Sequence, residues 1–157
     1  MMDLAPRTLS GRHVRLEPLA PHHLDALWEV ARDPELYRFT PSAIGTRDEL
    51  GLWFVEAEQA RRAGTALPFA TVLASDGRPI GTTRFMNASP ADRRVEIGWT
   101  FVGRPWQRTA VNTEAKYLML RHAFEAWGCL RVDLKTSHRN VQSQYAILRP
   151  GATRAGP

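Results

Sequence analysis

Apolar and polar positions alternate from Val14 through Leu16 toward Leu19 and Pro21, and this period of two predicts a first strand beginning near Arg12. From Pro21 to Arg32 the spacing lengthens. Leu24, Leu27, Trp28 and Ala31 then share one face of a helix that Asp33-Pro34 ends. Glu35 to Ile44, with Tyr37, Phe39 and Pro41, has no period and is expected to be irregular. Thr46-Arg47-Asp48-Glu49 has the form of a capping box, in which hydroxyl and carboxylate each accept from an orphan backbone N–H. It opens a second helix to about Arg62, with Leu50, Trp53, Phe54 and Ala57 inward and Gly64 just past its end.

The middle of the chain returns to strand spacing. Phe69 to Ala74 and Ile80 to Met86 flank Asp76-Gly77, a hairpin turn pair, and Arg94 to Val102 forms a third strand. A long helix is expected from Thr109 to Trp127, closed by Gly128. Leu130 to Thr136 follows as a strand with Leu130, Val132 and Leu134 on one face, and Asn140 caps a last helix that Pro150-Gly151 terminates. The order is strand, two helices, three antiparallel strands, helix, strand, helix. It specifies an α/β (α+β) fold with a mixed, mostly antiparallel central sheet flanked by helices, in one domain over residues 1–157.

Composition narrows the function. With 43% hydrophobic and 24% charged residues the chain can bury a core, and no apolar run reaches the roughly 18 residues of a membrane span. The N-terminus lacks the apolar stretch of a signal peptide, so a cytoplasmic protein is expected. Cys129 is the only cysteine, which excludes an intrachain disulfide and reads as a small buried hydrophobe. His22 and His23 are adjacent at a helix start and are expected to point apart. His122 and His138 show no ligand spacing, so no metal is expected. The net charge of +5 is carried by dispersed arginines, paired only at Arg61-Arg62 and Arg93-Arg94, which disfavours nucleic acid as a partner. Trp28, Trp53, Trp99 and Trp127 lie on apolar stripes and are assigned to the core.

Chemistry concentrates between Val95 and Glu114. A strand running through a short loop into a helix aims several unpaired N–H groups at one point, and that point attracts anions. Gln107 to Glu114 offers small or polar residues there, and Arg108 adds positive charge. An ordinary helix start with an exposed arginine accounts for the same residues, because the glycines of a P-loop are absent.

Gln107-Arg108-Thr109-Ala110-Val111-Asn112 resembles the acetyl-CoA signature of the GNAT acetyltransferases, with Ala110 where glycine is usual and Asn112 where glycine or alanine is usual. Ser10 to Leu19, Asp76 to Thr83, Trp106, Asn112-Thr113-Glu114-Ala115, Asn140-x-x-Ser143 and Ala146-Ile147 resemble the RimJ/RimL-type branch of that family. The resemblance implies acetyl-CoA as co-substrate and direct acetyl transfer to a primary amine. It places Gln107, Arg108, Thr109, Ala110, Val111 and Asn112 around the pyrophosphate with Thr113 beside them, and Thr100, Phe101 and Val102 along the pantetheine arm. Trp106 would line the cofactor loop.

Glu96 corresponds to the strand glutamate that draws the proton off the amine. As a plain sheet residue it would instead pair with Arg84 or Arg94. Asn140 would contact the cofactor near the thiol as well as cap its helix. Ile147 stands where many relatives carry an acidic tyrosine, leaving Ser143 or water to protonate the thiolate. Tyr37, Phe39 and Arg84 would line an acceptor site between the first two helices and the middle strands.

Relatives continue after the last helix with two more strands, whereas Ala146 to Pro157 reads as helix, turn and tail. Three readings of the exposed sheet edge stay open: a partner subunit, as in a homodimer, covers it, the chain is a truncated remnant with weak activity, or the sheet tolerates an open edge. A non-catalytic acyl-CoA-binding remnant is the alternative function. The acceptor stays open among a protein α-amine, a polyamine, an aminoglycoside and an amino acid.

Overall fold

The computed structural model describes residues 2–37 and 43–134. Among the described residues six strands form one sheet in the order β1 (Leu9–Ser10), β2 (Val14–Pro18), β3 (Leu67–Leu73), β4 (Pro79–Ser89), β5 (Arg94–Val102) and β6 (Arg131–Leu134). Neighbours are antiparallel except β5 and β6, which run parallel from Arg94↔Arg131 to Ile97↔Leu134. Helices α1 (Leu24–Ala31) and α2 (Arg47–Arg62) follow β2, and α3 (Ala110–Arg121) connects β5 to β6. The crossover through α3 is what a parallel pair requires.

The two faces of the sheet bury different clusters because successive strand side chains point to opposite sides. Val14, Leu16, Phe69, Phe85, Val95 and Ile97 pack with Val111, Ala115 and Met119 of α3. Ala70, Val72 and Phe101 pack on the other face with Leu24, Leu27, Leu50 and Trp53 of α1 and α2. Glu114 joins α3 to the sheet edge, its Oε1 accepting from the backbone N–H of His13 at 2.6 Å and of Val14 at 2.9 Å.

Local signals fall where the sequence puts them. Thr46 Oγ1 accepts from Glu49 N–H at 3.1 Å, and Gly64, Gly77 and Gly128 have φ of +79°, +76° and +66° at their turns. Several details differ. The first helix opens with a 3₁₀ turn over Pro21–His23, in which His23 N–H donates to Ala20 C=O at 3.0 Å. Residues beyond Arg121 leave α-geometry for a π-turn, His122–Ala126, in which Trp127 N–H bonds His122 C=O at 3.0 Å. Leu130 precedes β6 and is exposed, so it does not share a buried face with Val132 and Leu134. Strand β1 has no counterpart in the sequence reading, since two residues are too few to show a period. The expected last helix and the sheet edge beyond it lie in residues 135–157, outside the described ones.

At Gly81 the β5 backbone leaves no room for a side chain on β4. A Cβ there would meet the Phe101 carbonyl oxygen and lie 2.9 Å from Val102 Cα, both backbone atoms that cannot swing aside. Gly81→Ala is expected to lower unfolding stability by about 1–3 kcal/mol, the range for overpacking. Urea denaturation measures it, and an unchanged midpoint would mean that the strands separate at little cost.

Candidate active site

Strand β5 is interrupted where it leaves its pairing with β6. Arg84 pairs with Gly98 and Thr82 with Phe101, so three steps on β5 oppose two on β4. The extra residue is a β-bulge, and Trp99 within it has φ +47°, a conformation that a bulky side chain adopts only under constraint. The bulge reverses the alternation. Val95 and Ile97 point to the α3 side before it, whereas Phe101 points to the α1/α2 side after it.

The segment from β5 to α3 is tied down at several residues. Gln107 Nε2 donates to Val102 C=O at 3.1 Å, Arg108 turns the chain with φ +59°, and Thr109 is the N-cap of α3. Thr109 Oγ1 donates to Trp106 C=O at 2.6 Å and accepts from Val111 N–H at 3.3 Å, while Thr113 Oγ1 donates to Thr109 C=O at 3.5 Å. The cap therefore occupies the Val111 amide. Helix geometry leaves the amides of Ala110 and Asn112 without an intrahelical acceptor, beside exposed Arg108. Trp106 lies against Gly103, where a Cβ would fall 2.7 Å from its ring, and beneath the Arg78 guanidinium at 5.1 Å.

On the α3 side of the bulge, Lys116 is buried and its Nζ donates to Thr100 Oγ1 at 3.0 Å. Thr83 Oγ1 lies 2.8 Å from the same oxygen. Among the described residues no carboxylate reaches Lys116, and burial alone pulls its pKa down to about 8. The sequence reading passed over this residue. The available signal is its spacing: Lys116 stands three and seven positions before Met119 and Ala123, on the buried stripe of α3.

The α1/α2 side holds the other candidates. Glu96 is half-buried, and its Oε2 accepts from Asn87 Nδ2 at 3.0 Å; neither Arg84 nor Arg94 is its partner, as the sheet-residue reading expected. Arg94 approaches Asp92 at 3.8 Å instead. Arg84 is 2% exposed; its Nη1 donates to both oxygens of Glu56, at 3.2 and 2.9 Å. Its guanidinium lies 5.8 Å from the Trp53 ring centroid and 5.7 Å from that of Trp99. Trp53 is core as expected, whereas Trp99 and Trp28 are only half-buried at its margin. Tyr37 packs edge-on to Phe101, donates its hydroxyl to Ala31 C=O at 2.8 Å, and has its pKa pushed by burial to about 12. Phe39, Asn140 and Ser143 lie outside the described residues. The structure thus brings Glu96, Arg84, Tyr37 and Phe101 to one face, and Thr100, Val102 and α3 to the other.

His22 and His23 do not point apart. Their ring centroids are 4.0 Å apart, and their nitrogens and the Glu17 carboxylate lie within 4.8 Å of one another. His23 Nδ1 accepts from Ala20 N–H at 3.0 Å, so Nε2 carries the proton and donates to Glu17 at 2.9 Å, a bond that lowers the Glu17 pKa. In this arrangement His23 has no lone pair left for an ion. Cys129 is buried in the α3-side core, and its thiol pKa is raised by that burial. No described helix is long and apolar enough to cross a membrane.

A six-stranded mixed sheet whose bulged strand runs into a capped helix N-terminus defines an acyltransferase fold. The chain belongs to the GNAT acetyltransferases: residues 13–153 match the acetyltransferase (GNAT) domain family. A T. thermophilus protein assigned to the acetyltransferases is 34% identical, with 99% of this chain and 80% of that chain covered at a TM-score of 0.84. A GCN5-related N-acetyltransferase from Brucella melitensis is 27% identical, covering 93% and 67% at a TM-score of 0.80. Mycobacterium smegmatis RimJ, solved with CoA-disulfide, shares the fold at a TM-score of 0.84 and 20% identity, covering 99% and 80%. No curated protein matches the sequence significantly.

Proposed function

We propose that this protein is an acetyl-CoA-dependent N-acetyltransferase, related to the RimJ/RimL-type branch, that acylates a primary amine by direct attack. The observation that carries the reading is the bulge at Trp99, set between a capped helix N-terminus and a face bearing Glu96, in a chain of this family. The residues fit the cofactor. The exposed start of α3 offers the amides of Ala110 and Asn112, and Arg108, to an anionic pyrophosphate, with Gln107, Thr109, Val111 and Thr113 fixing that turn. Thr100, Phe101 and Val102 supply the strand beside the pantetheine arm. Bound there, acetyl-CoA supplies an acyl group activated as a thioester.

The protein's own contribution is proton handling and orientation. Glu96 accepts a proton from the acceptor ammonium, directly or through water, because only the free amine is nucleophilic. Asn87 holds that carboxylate in place. The nitrogen then bonds to the acyl carbon as the carbon–sulfur bond breaks, and the leaving thiolate takes up one proton. Tyr37 and Arg84 lie on the acceptor side of the sheet. Phe39, Asn140 and Ser143 complete the proposed site, Asn140 near the thiol and Ser143 or water as the proton source.

Thermal unfolding with excess acetyl-CoA tests the reading, because a ligand bound to the folded state alone stabilises it by about 2.7 kcal/mol at a hundredfold excess over Kd. A clear rise in Tm, smaller with a nucleotide lacking the pantetheine arm, is expected. An unchanged Tm would remove the cofactor. A rise without acetyl transfer to any amine would favour an acyl-CoA-binding module, which the occupied Val111 amide and the methyl of Ala110 would suit.

A further inference from the structure

Among the described residues, three buried N–H donors on the α1/α2 face meet no acceptor: Arg84 Nε, Arg84 Nη2 and Trp53 Nε1. Buried donors are nearly always paired, and each one left open costs free energy that folding must recover elsewhere. The pattern at Arg84 is specific. Glu56 takes Nη1, while Nε and Nη2 remain, and these two share one edge of the guanidinium. Two parallel N–H groups on one edge are the fork that binds a carboxylate through both oxygens. Trp53, whose ring lies 5.8 Å from the guanidinium, carries the third donor.

We propose that this open edge of Arg84, with Trp53 Nε1, binds the carboxylate of the acceptor, so that the substrate is a small amine of the amino-acid type. The proposal rests on the acetyltransferase reading for the word acceptor, though not for the anion site itself. Position agrees with it. Arg84 pairs across the strands with Gly98, at the foot of the bulge, and Met86 with Glu96, so Arg84 and Glu96 project from the same face with the side-chain-free Gly98 between them in the register. An α-amino acid separates its amine from its carboxylate by a single carbon, so an acid held at Arg84 would carry its amine on the face that also bears Glu96. Charge favours a monoanion, because Glu56 already offsets part of the Arg84 charge. Glu56 is exposed and Trp99 half-buried, whereas Arg84 is 2% exposed, so a ligand reaches the fork only when a neighbouring side chain moves.

The test titrates the protein, without acetyl-CoA, with the standard L-amino acids and their carboxamides, reading binding by isothermal titration calorimetry. At least one acid is expected to bind about 10–100-fold more tightly than its amide, the worth of hydrogen bonds to a charged group. Trp53→Phe, which keeps the ring and removes the donor, is expected to weaken that acid about tenfold and leave the amide unchanged. Arg84→Lys, which keeps the charge and loses the fork, should abolish the acid's advantage. Arg84→Met should do the same if it folds, and the other two variants carry the test if it does not.

Equal binding of acids and amides, or no binding of either, would overturn the proposal and leave the donors facing only the indole rings. Selective binding of an acid together with an unchanged Tm in acetyl-CoA would retain the anion site and overturn its role in an acetyl acceptor. Acetyl transfer to the same acid in preference to its amide, lost in Arg84→Lys, would establish both.

Discussion

Glu96→Gln is expected to lower kcat about 10²–10⁴-fold, the contribution of a positioned general base, with acetyl-CoA affinity and Tm essentially unchanged. The substitution suits the question because an amide oxygen still accepts from Asn87 Nδ2 but cannot take a proton from an ammonium. Steady-state kinetics on an acceptor found by screening amines, beside thermal unfolding of both proteins, separates the outcomes. A loss of kcat with normal Tm assigns the proton to Glu96. Unchanged turnover would leave Glu96 as a sheet residue held by Asn87 and would move proton acceptance to water or to another group. A second signature accompanies the first: the rate of Glu96→Gln should recover as pH rises toward the pKa of the acceptor, because a free amine needs no base.

Lys116→Met is expected to be more stable than the wild type at pH 7, by up to about 3 kcal/mol, and to lose that advantage as pH rises. The sign follows from proton counts. Burial lowers the Lys116 pKa from 10.5 to about 8, so below pH 8 both folded and unfolded chains carry the proton and the folded state bears the whole desolvation cost. Between pH 8 and 10.5 the folded chain has released the proton while the unfolded chain retains it. Wild-type stability therefore climbs with pH through that window, at about 1.4 kcal/mol per unit at most. Methionine has similar length and no charge to desolvate, so its variant lacks this component. Urea midpoints of the two proteins at pH 7, 8.5 and 10 give the difference directly. A constant difference would mean that solvent reaches the ammonium in the folded protein. The same variant frees Thr100 of its donor, so any change in acetyl transfer reports whether that hydrogen bond steadies the bulge.

Both predictions concern residues whose roles the sequence discloses unequally. Glu96 is visible as a strand carboxylate just ahead of a loop and helix start, and its sheet position follows from alternation alone. Asn87 is not visible as its partner. It lies nine residues away, across a turn whose register shift between Met86 and Ser89 no local spacing encodes. Lys116 shows its place on the buried stripe of α3 by spacing, but its hydrogen bond to Thr100 exists only once α3 is laid on the sheet. His22 and His23 mislead in the opposite direction. Neighbours on a regular helix diverge, but these sit in a 3₁₀ turn that Glu17 and Ala20 fasten through His23.

Among the described residues the sequence by itself determined the strands and helices with sustained periods, their order, the cap at Thr46, and the antiparallel middle of the sheet, because these depend on spacing and on hydrogen bonds within a few residues. Tertiary structure alone decided the bulge at Trp99, the Glu114 tie to β2, the burial of Lys116 and the half-satisfied Arg84. Each depends on groups distant in the chain meeting in a shared low-dielectric space, where a displaced strand step or an unpaired donor acquires its energetic weight.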